Sequence, residues 1–196
     1  MNKKLVAALS GGAALLMALT GCSSGDDSDN KVNDWAKQVC DQVQPQLKKI
    51  ADANVSIQQV TSDSSKPADV QKTDSAAFQS ISDAYKALGS AVNGAGAPPV
   101  KDGATTQQEA VKELNATSAA YAGLKQKVDA LDTKDQAKFA DGLTGVAEEL
   151  DKLSKSGDDA LQKLQSGEVG TAMAKQPGCQ KPSPSASDAA SPSADS

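Results

Sequence analysis

The sequence predicts an all-α protein, an antiparallel up-down four-helix bundle with a C-terminal segment folded back and disulfide-linked to the first helix. Three observations carry this reading. Apolar residues recur at three- and four-residue steps through four segments, the spacing that gathers side chains onto one face of a 3.6-residue helix. The alternating pattern of a half-buried strand appears nowhere in the chain. The connections between the four segments are short, which favours antiparallel neighbours.

The chain opens with a short basic stretch, Asn2-Lys3-Lys4, followed by an almost unbroken apolar run from Leu5 to Leu19. As a helix, about 15 residues reach only about 22 Å, short of a hydrocarbon core of about 30 Å. A basic start, a short apolar run and small residues at the boundary are the three parts of an export signal. The closing Leu19-Thr20-Gly21-Cys22 resembles the bacterial lipobox. That resemblance implies a diacylglyceryl group on the Cys22 thiol, removal of residues 1–21, and a protein held at the membrane by the lipid. Two acyl chains anchor stably, whereas one, at about 0.8 kcal/mol per buried CH₂, holds only marginally. The alternatives are an uncleaved anchor, or an ordinary signal followed by an unmodified cysteine.

Residues 22–30 are small and acidic and are expected to form a flexible tether. In the first helix Val32, Trp35, Val39, Val43, Leu47, Ile50 and Ile57 form the apolar stripe. Pro45 lies within it and is expected to kink or interrupt the helix, because it removes a backbone donor and crowds the preceding turn. The second helix opens at Pro67, a residue favoured at a first helical position. It carries Val70, Ala77, Phe78, Ile81, Tyr85, Leu88 and Val92, and stops at Asn93-Gly94.

Gly94 to Ala104 reads as a loop. Thr106 and Glu109 then have the spacing of a capping box, ahead of a third stripe of Val111, Leu114, Tyr121, Leu124, Val128 and Leu131. Thr133 and Gln136 repeat that spacing ahead of the fourth stripe, which runs from Phe139 through Val146, Leu150 and Leu153 to Leu161 and Leu164, with Gly157 as a point of fraying or bending. A short piece, Glu168 to Ala174, leads to Pro177-Gly178-Cys179. The bundle domain is thus expected over 31–180. Residues 181–196, lacking any large apolar side chain, are expected to be a disordered Pro/Ser/Ala tail.

The formal net charge is −5, and every basic residue is Lys. Loss of Lys3 and Lys4 with the signal would take it to −7 (−5 minus 2). An acidic chain without Arg lacks the footprint for nucleic acid, and has no electrostatic reason to lie flat on anionic lipid. If Cys22 carries lipid, Cys40 and Cys179 remain as an even pair in an exported setting and are read as one disulfide, the alternative being two buried thiols.

The absence of His removes imidazole bases, Ser-His-Asp arrangements and His metal ligands. Asp26-Asp27-Ser28-Asp29 lacks the Gly and closing Glu of a Ca²⁺ loop. Glu148-Glu149 and Asp158-Asp159, beside Lys152 and Lys155, have the spacing of a solvated helix face. GAGAPPVKDG lacks the Gly-Lys-Ser/Thr of a phosphate loop. Trp35 falls in the apolar stripe and is expected in the core rather than in a ligand pocket. Asn54-Val55-Ser56 and Asn115-Ala116-Thr117 match a glycosylation pattern, but both sites fall in helical segments and the lipobox implies a bacterium. No catalytic, cofactor-binding or metal-binding residue is assigned, and no cofactor is expected.

The LTGCSS box, the NDWAKQVCDQV opening, the SISDAYKALG and LKQKVDALDTKDQ helices and the KQPGCQKP close together resemble the small secreted lipoproteins of actinomycetes. The resemblance implies a compartment, the outer face of the cytoplasmic membrane, and no chemistry. The expected role is a lipid-anchored, non-catalytic binding or interaction module with an unidentified envelope protein or ligand as partner. A purely structural spacer and a small-ligand-binding lipoprotein are the alternatives. The apolar stripes are rich in Ala and Val, which predicts close helix approach and a narrow core.

Overall fold

The computed structural model describes residues 24–60, 65–156, 162 and 164–180. Within them the chain is all-helical, without a strand. The helices are α1 (Ser24–Val60), α2 (Pro67–Ala95), α3 (Gly103–Asp129), α4 (Gln136–Ser156) and α5 (Gly167–Ala174), and a 3₁₀ turn, Pro177–Cys179, follows. The signal segment, Cys22, Gly157, Asp158-Asp159, Leu161 and the 181–196 tail lie outside the described residues.

Where the chain departs from expectation at its start, the reason is electrostatic. The tether expected over 22–30 is helical from Ser24 onward. Asp27 and Asp29 fall in the first two turns, where negative charge is favoured by the positive end of the helix dipole. Asp27 to Lys31 are all exposed. Pro45 does not interrupt α1, which continues through it to Val60. The ring sits on an exposed face, so the carbonyl deprived of its partner, that of exposed Asp41, faces water.

Both expected capping boxes are displaced. α3 starts at Gly103, one turn before Thr106, whose hydroxyl bonds back to the Asp102 carbonyl instead of capping. Asp102 takes a left-handed conformation, φ 59°, and Gly103 packs so tightly under Pro98 that a Cβ there would strike the Pro98 carbonyl. At α4 the cap is Asp135, whose carboxylate accepts from the Lys138 backbone N–H at 3.1 Å.

Contacts between chain segments fix directions. Trp35 Nε1 near the start of α1 donates to the Gly96 carbonyl at the end of α2, at 2.9 Å. Gln71 Nε2 near the start of α2 donates to the Val128 and Leu131 carbonyls at the end of α3, both at 2.9 Å. Both pairs of neighbours therefore run antiparallel. α2 and α3 approach closely at Ser82 and Ser118, two buried residues that exchange hydrogen bonds: each hydroxyl donates to the other's carbonyl at 2.8 Å.

α4 packs on α3, with Lys127 bridging to Glu149 and the Leu131 side chain lying over Gly142. Among the described residues α4 and α1 form no comparably packed pair. Instead, α1 near its beginning is covered by α5 and the 3₁₀ turn.

The core has two clusters. One gathers Val32, Trp35 and Val39 of α1 with Leu88, Val92 and Leu114, and with Leu164, Val169 and Ala172 from the C-terminal segment. The other gathers Ala53, Phe78, Ile81, Leu124, Val128 and Val146. Ile50 and Tyr85 touch both. Residues such as Ile81, Val39 and Val128 are fully enclosed, each worth roughly 1.5–3 kcal/mol relative to exposure.

Candidate functional site

Cys40 and Cys179 form a disulfide, with Cα atoms 4.9 Å apart across a sequence separation of 139 residues. Cys40 stands 16 residues into α1, about 24 Å along its axis. The C-terminal strap, residues 164–180, turns back that far and lies along α1. Gly178 makes the last contact possible, because a Cβ there would overlap the Cys40 carbonyl. Val169 and Ala172 are buried against the Val32–Val39 face.

Beside the disulfide, the strap and the helices leave a cleft of about 460 Å³. α1 supplies Val39, Val43, Leu47 and Ile50 along one wall. Tyr85, Leu88 and Val92 of α2, with Leu114 of α3, form the floor. Leu164, Met173 and Cys179 of the strap close the remaining side, and Gln165, an exposed residue, also lines it. No charged side chain lines it among the described residues. Tyr85 stacks on Tyr121 with ring centroids 5.7 Å apart and planes 11° from parallel, which holds the Tyr85 ring in place. Burial, and then the neighbouring Tyr85, raise the Tyr121 hydroxyl pKa above its ordinary 10.0.

The cleft corrects the expectation of a narrow core. Small residues do bring α2 and α3 together at Ser82, Ser118 and Gly89. On the α1 side the neighbour is the strap, which touches α1 but not α2 or α3 extensively, and the gap between them is the cleft. The lining residues of α1, α2 and α3 and Leu164 were legible as stripe members; Gln165, Met173 and Cys179 and the gap itself were not, because they depend on where the strap docks.

The remaining candidates resolve simply. Trp35 is a core residue, 5 % exposed, and does not line the cleft. Asp26 to Asp29 form the start of α1, and no group of three or more metal-ligating side chains occurs among the described residues. Glu148 and Lys152 are exposed, and Glu149 is half-buried against Lys127. Asn54 and Asn115 lie in α1 and α3.

One buried ionisable group escaped sequence reasoning. Asp74 is 7 % exposed, its Oδ1 has no hydrogen-bond partner among the described residues, and burial pushes its carboxyl pKa up to about 6. The signal was present, since Val70, Asp74, Ala77 and Ile81 keep one helical register.

No family model, curated protein or solved structure matches this chain.

Proposed function

We propose that this protein is a lipid-anchored, non-catalytic binding module on the outer face of a bacterial cytoplasmic membrane, and that its binding site is the apolar cleft between α1, α2 and the strap. The cleft is the observation that carries the reading: its volume falls in the range of about 300–1,000 Å³ typical of small-molecule sites, with a mostly apolar wall. Anchoring rests on Leu19-Thr20-Gly21-Cys22, and none of the described helices is long and apolar enough to cross a membrane.

The architecture under this reading is an up-down four-helix bundle. Antiparallel α1–α2 and α2–α3 contacts support it, as does Val146 of α4 sharing a cluster with Ala53 of α1. The strap covers the part of α1 that α4 does not.

Two measurements test the proposal. Cys22→Ala should move the protein from the membrane fraction to the soluble fraction; retention would favour an uncleaved anchor. Native mass spectrometry of protein purified from its own membrane should reveal a bound apolar molecule, absent from a Val43→Trp variant that fills the cleft. Finding the wild type empty would leave the spacer as the better reading.

A further inference from the structure

We infer that the Cys40–Cys179 disulfide is a reducible latch. An exported dithiol reductant opens it in the folded protein by attack at Cys179, and its opening frees residues 167–180 from α1. The latch is independent of whatever the cleft binds.

The two cysteines stand in different surroundings. Cys40, on α1, has no exposed surface. Cys179, in the 3₁₀ turn, is partly exposed and lines the cleft. Gly178 lies directly against the Cys40 carbonyl, so the turn itself covers Cys40. Thiol–disulfide exchange requires access to the sulfur under attack, and of the two cysteines Cys179 alone has exposed surface.

The exchange runs in two steps. A thiolate of the reductant bonds to Cys179 Sγ as the disulfide bond breaks, and Cys40 Sγ leaves with the electron pair and takes up a proton. The second thiol of the reductant then displaces Cys179 and closes the reductant's own disulfide. Two electrons and two protons pass from the dithiol to the protein. Cys40 remains as an enclosed thiol, which packs as a small apolar side chain and leaves the core of α1 intact.

What the latch holds is separable from the rest. α5 and the 3₁₀ turn pack on α1 and on each other. Their buried apolar side chains are Val169 and Ala172, and ordering the whole of 167–180 costs more than burying these two returns. α1 packs along α2, and α2 along α3, without them. The second core cluster contains no residue of the strap.

The test uses the full-length Cys22→Ala chain, which keeps only the two cysteines of the latch, and dithiothreitol as the reductant. Reduction in native buffer should be first order in dithiothreitol, at a rate that Ser82→Ala, or urea below the unfolding transition, changes by less than about twofold. Reduction gated by global unfolding would instead run about fivefold faster in Ser82→Ala, which destabilises the α2–α3 contact. Trypsin should cut after Lys175, an exposed residue following α5, at least tenfold faster once the bond is reduced. Lys86 in α2 and Lys112 in α3 should stay protected. A thioredoxin whose second active-site cysteine is replaced by serine traps the first step, and should be recovered on Cys179.

A rate that climbs with urea and rises fivefold in Ser82→Ala would make the disulfide a staple reached only by unfolding, and would overturn the latch. Should Ser82→Ala fail to fold, the urea dependence decides alone. Trapping on Cys40 or on neither cysteine, unchanged cleavage at Lys175 after reduction, or loss of cooperative unfolding in the reduced chain would each overturn it as well.

Discussion

At the scale of single residues, Asp74 is where the fold is most exposed to its medium. Its folded pKa of about 6 lies above the ordinary 3.8, because burial disfavours the charged form. Below about pH 4 the carboxyl is protonated in both folded and unfolded chains and has no effect on the balance. As pH rises from about 4 to 6 the unfolded chain releases the proton while the folded chain retains it, so stability falls; above pH 6 the penalty is complete. Asp129 and Asp135 act oppositely. Hydrogen bonds, from Lys125 to the first and from the Lys138 backbone N–H to the second, hold both below 3.8, so their contribution is lost only as pH falls further. Asp74→Asn should abolish the decline between pH 4 and 6 and raise stability at pH 7 by about 1–2 kcal/mol, less than the full shift implies because an amide in that site still lacks partners. Urea unfolding at pH 4.5 and 7.5 measures it; an equal slope in variant and wild type would reject the assignment.

Between elements, the spacing of α2 and α3 is set by small side chains. Ser82 and Ser118 satisfy each other's carbonyls across the contact, and Gly89 lies against Asn115 and Leu114. Ser82→Ala removes one donor without enlarging the side chain and should cost about 1 kcal/mol. Ser82→Leu forces the helices apart and should cost roughly 1–3 kcal/mol more. Both should lower the urea midpoint with an unchanged slope, whereas a tolerated Leu would mean that the helices do not pack as closely as these distances require. Periodicity made the core stripes legible because burial acts on a whole face, so Val39, Ile81 and Val128 could be placed from spacing alone. Cysteine arithmetic supplied the disulfide in the same way. The start of α1 was not legible, since Ser24 to Asn30 contain no apolar residue and helix formation there has no periodic signature. The caps were misplaced because Thr and Asp compete for one role over a few residues, and Asp135 won at α4. The cleft was hidden for a different reason: it is a relation between a strap and a helix separated by more than a hundred residues.

For the whole molecule, the consequence is a division of labour between the core and the strap. In the chain-entropy account, closing a 139-residue loop stabilises the fold by up to about 5 kcal/mol. The strap buries little apolar surface of its own: Leu164, Val169 and Ala172 are its buried apolar anchors, and α5 is only eight residues long. A helix of that length is marginal without tertiary support. Reduction should therefore act unevenly. Amides of residues 167–179 should exchange with solvent at least tenfold faster in a Cys40→Ser/Cys179→Ser variant, while those around Ser82 and Ser118 keep their order of protection relative to global unfolding. The melting temperature should fall as well, by roughly 5–15 °C if 2–4 kcal/mol of the loop term is realised. Hydrogen exchange read by mass spectrometry separates the two effects. Uniform acceleration across α2, α3 and the strap would mean that the disulfide stabilises the fold as one cooperative unit; acceleration confined to 167–179 identifies it as the fastening of the cleft's outer wall.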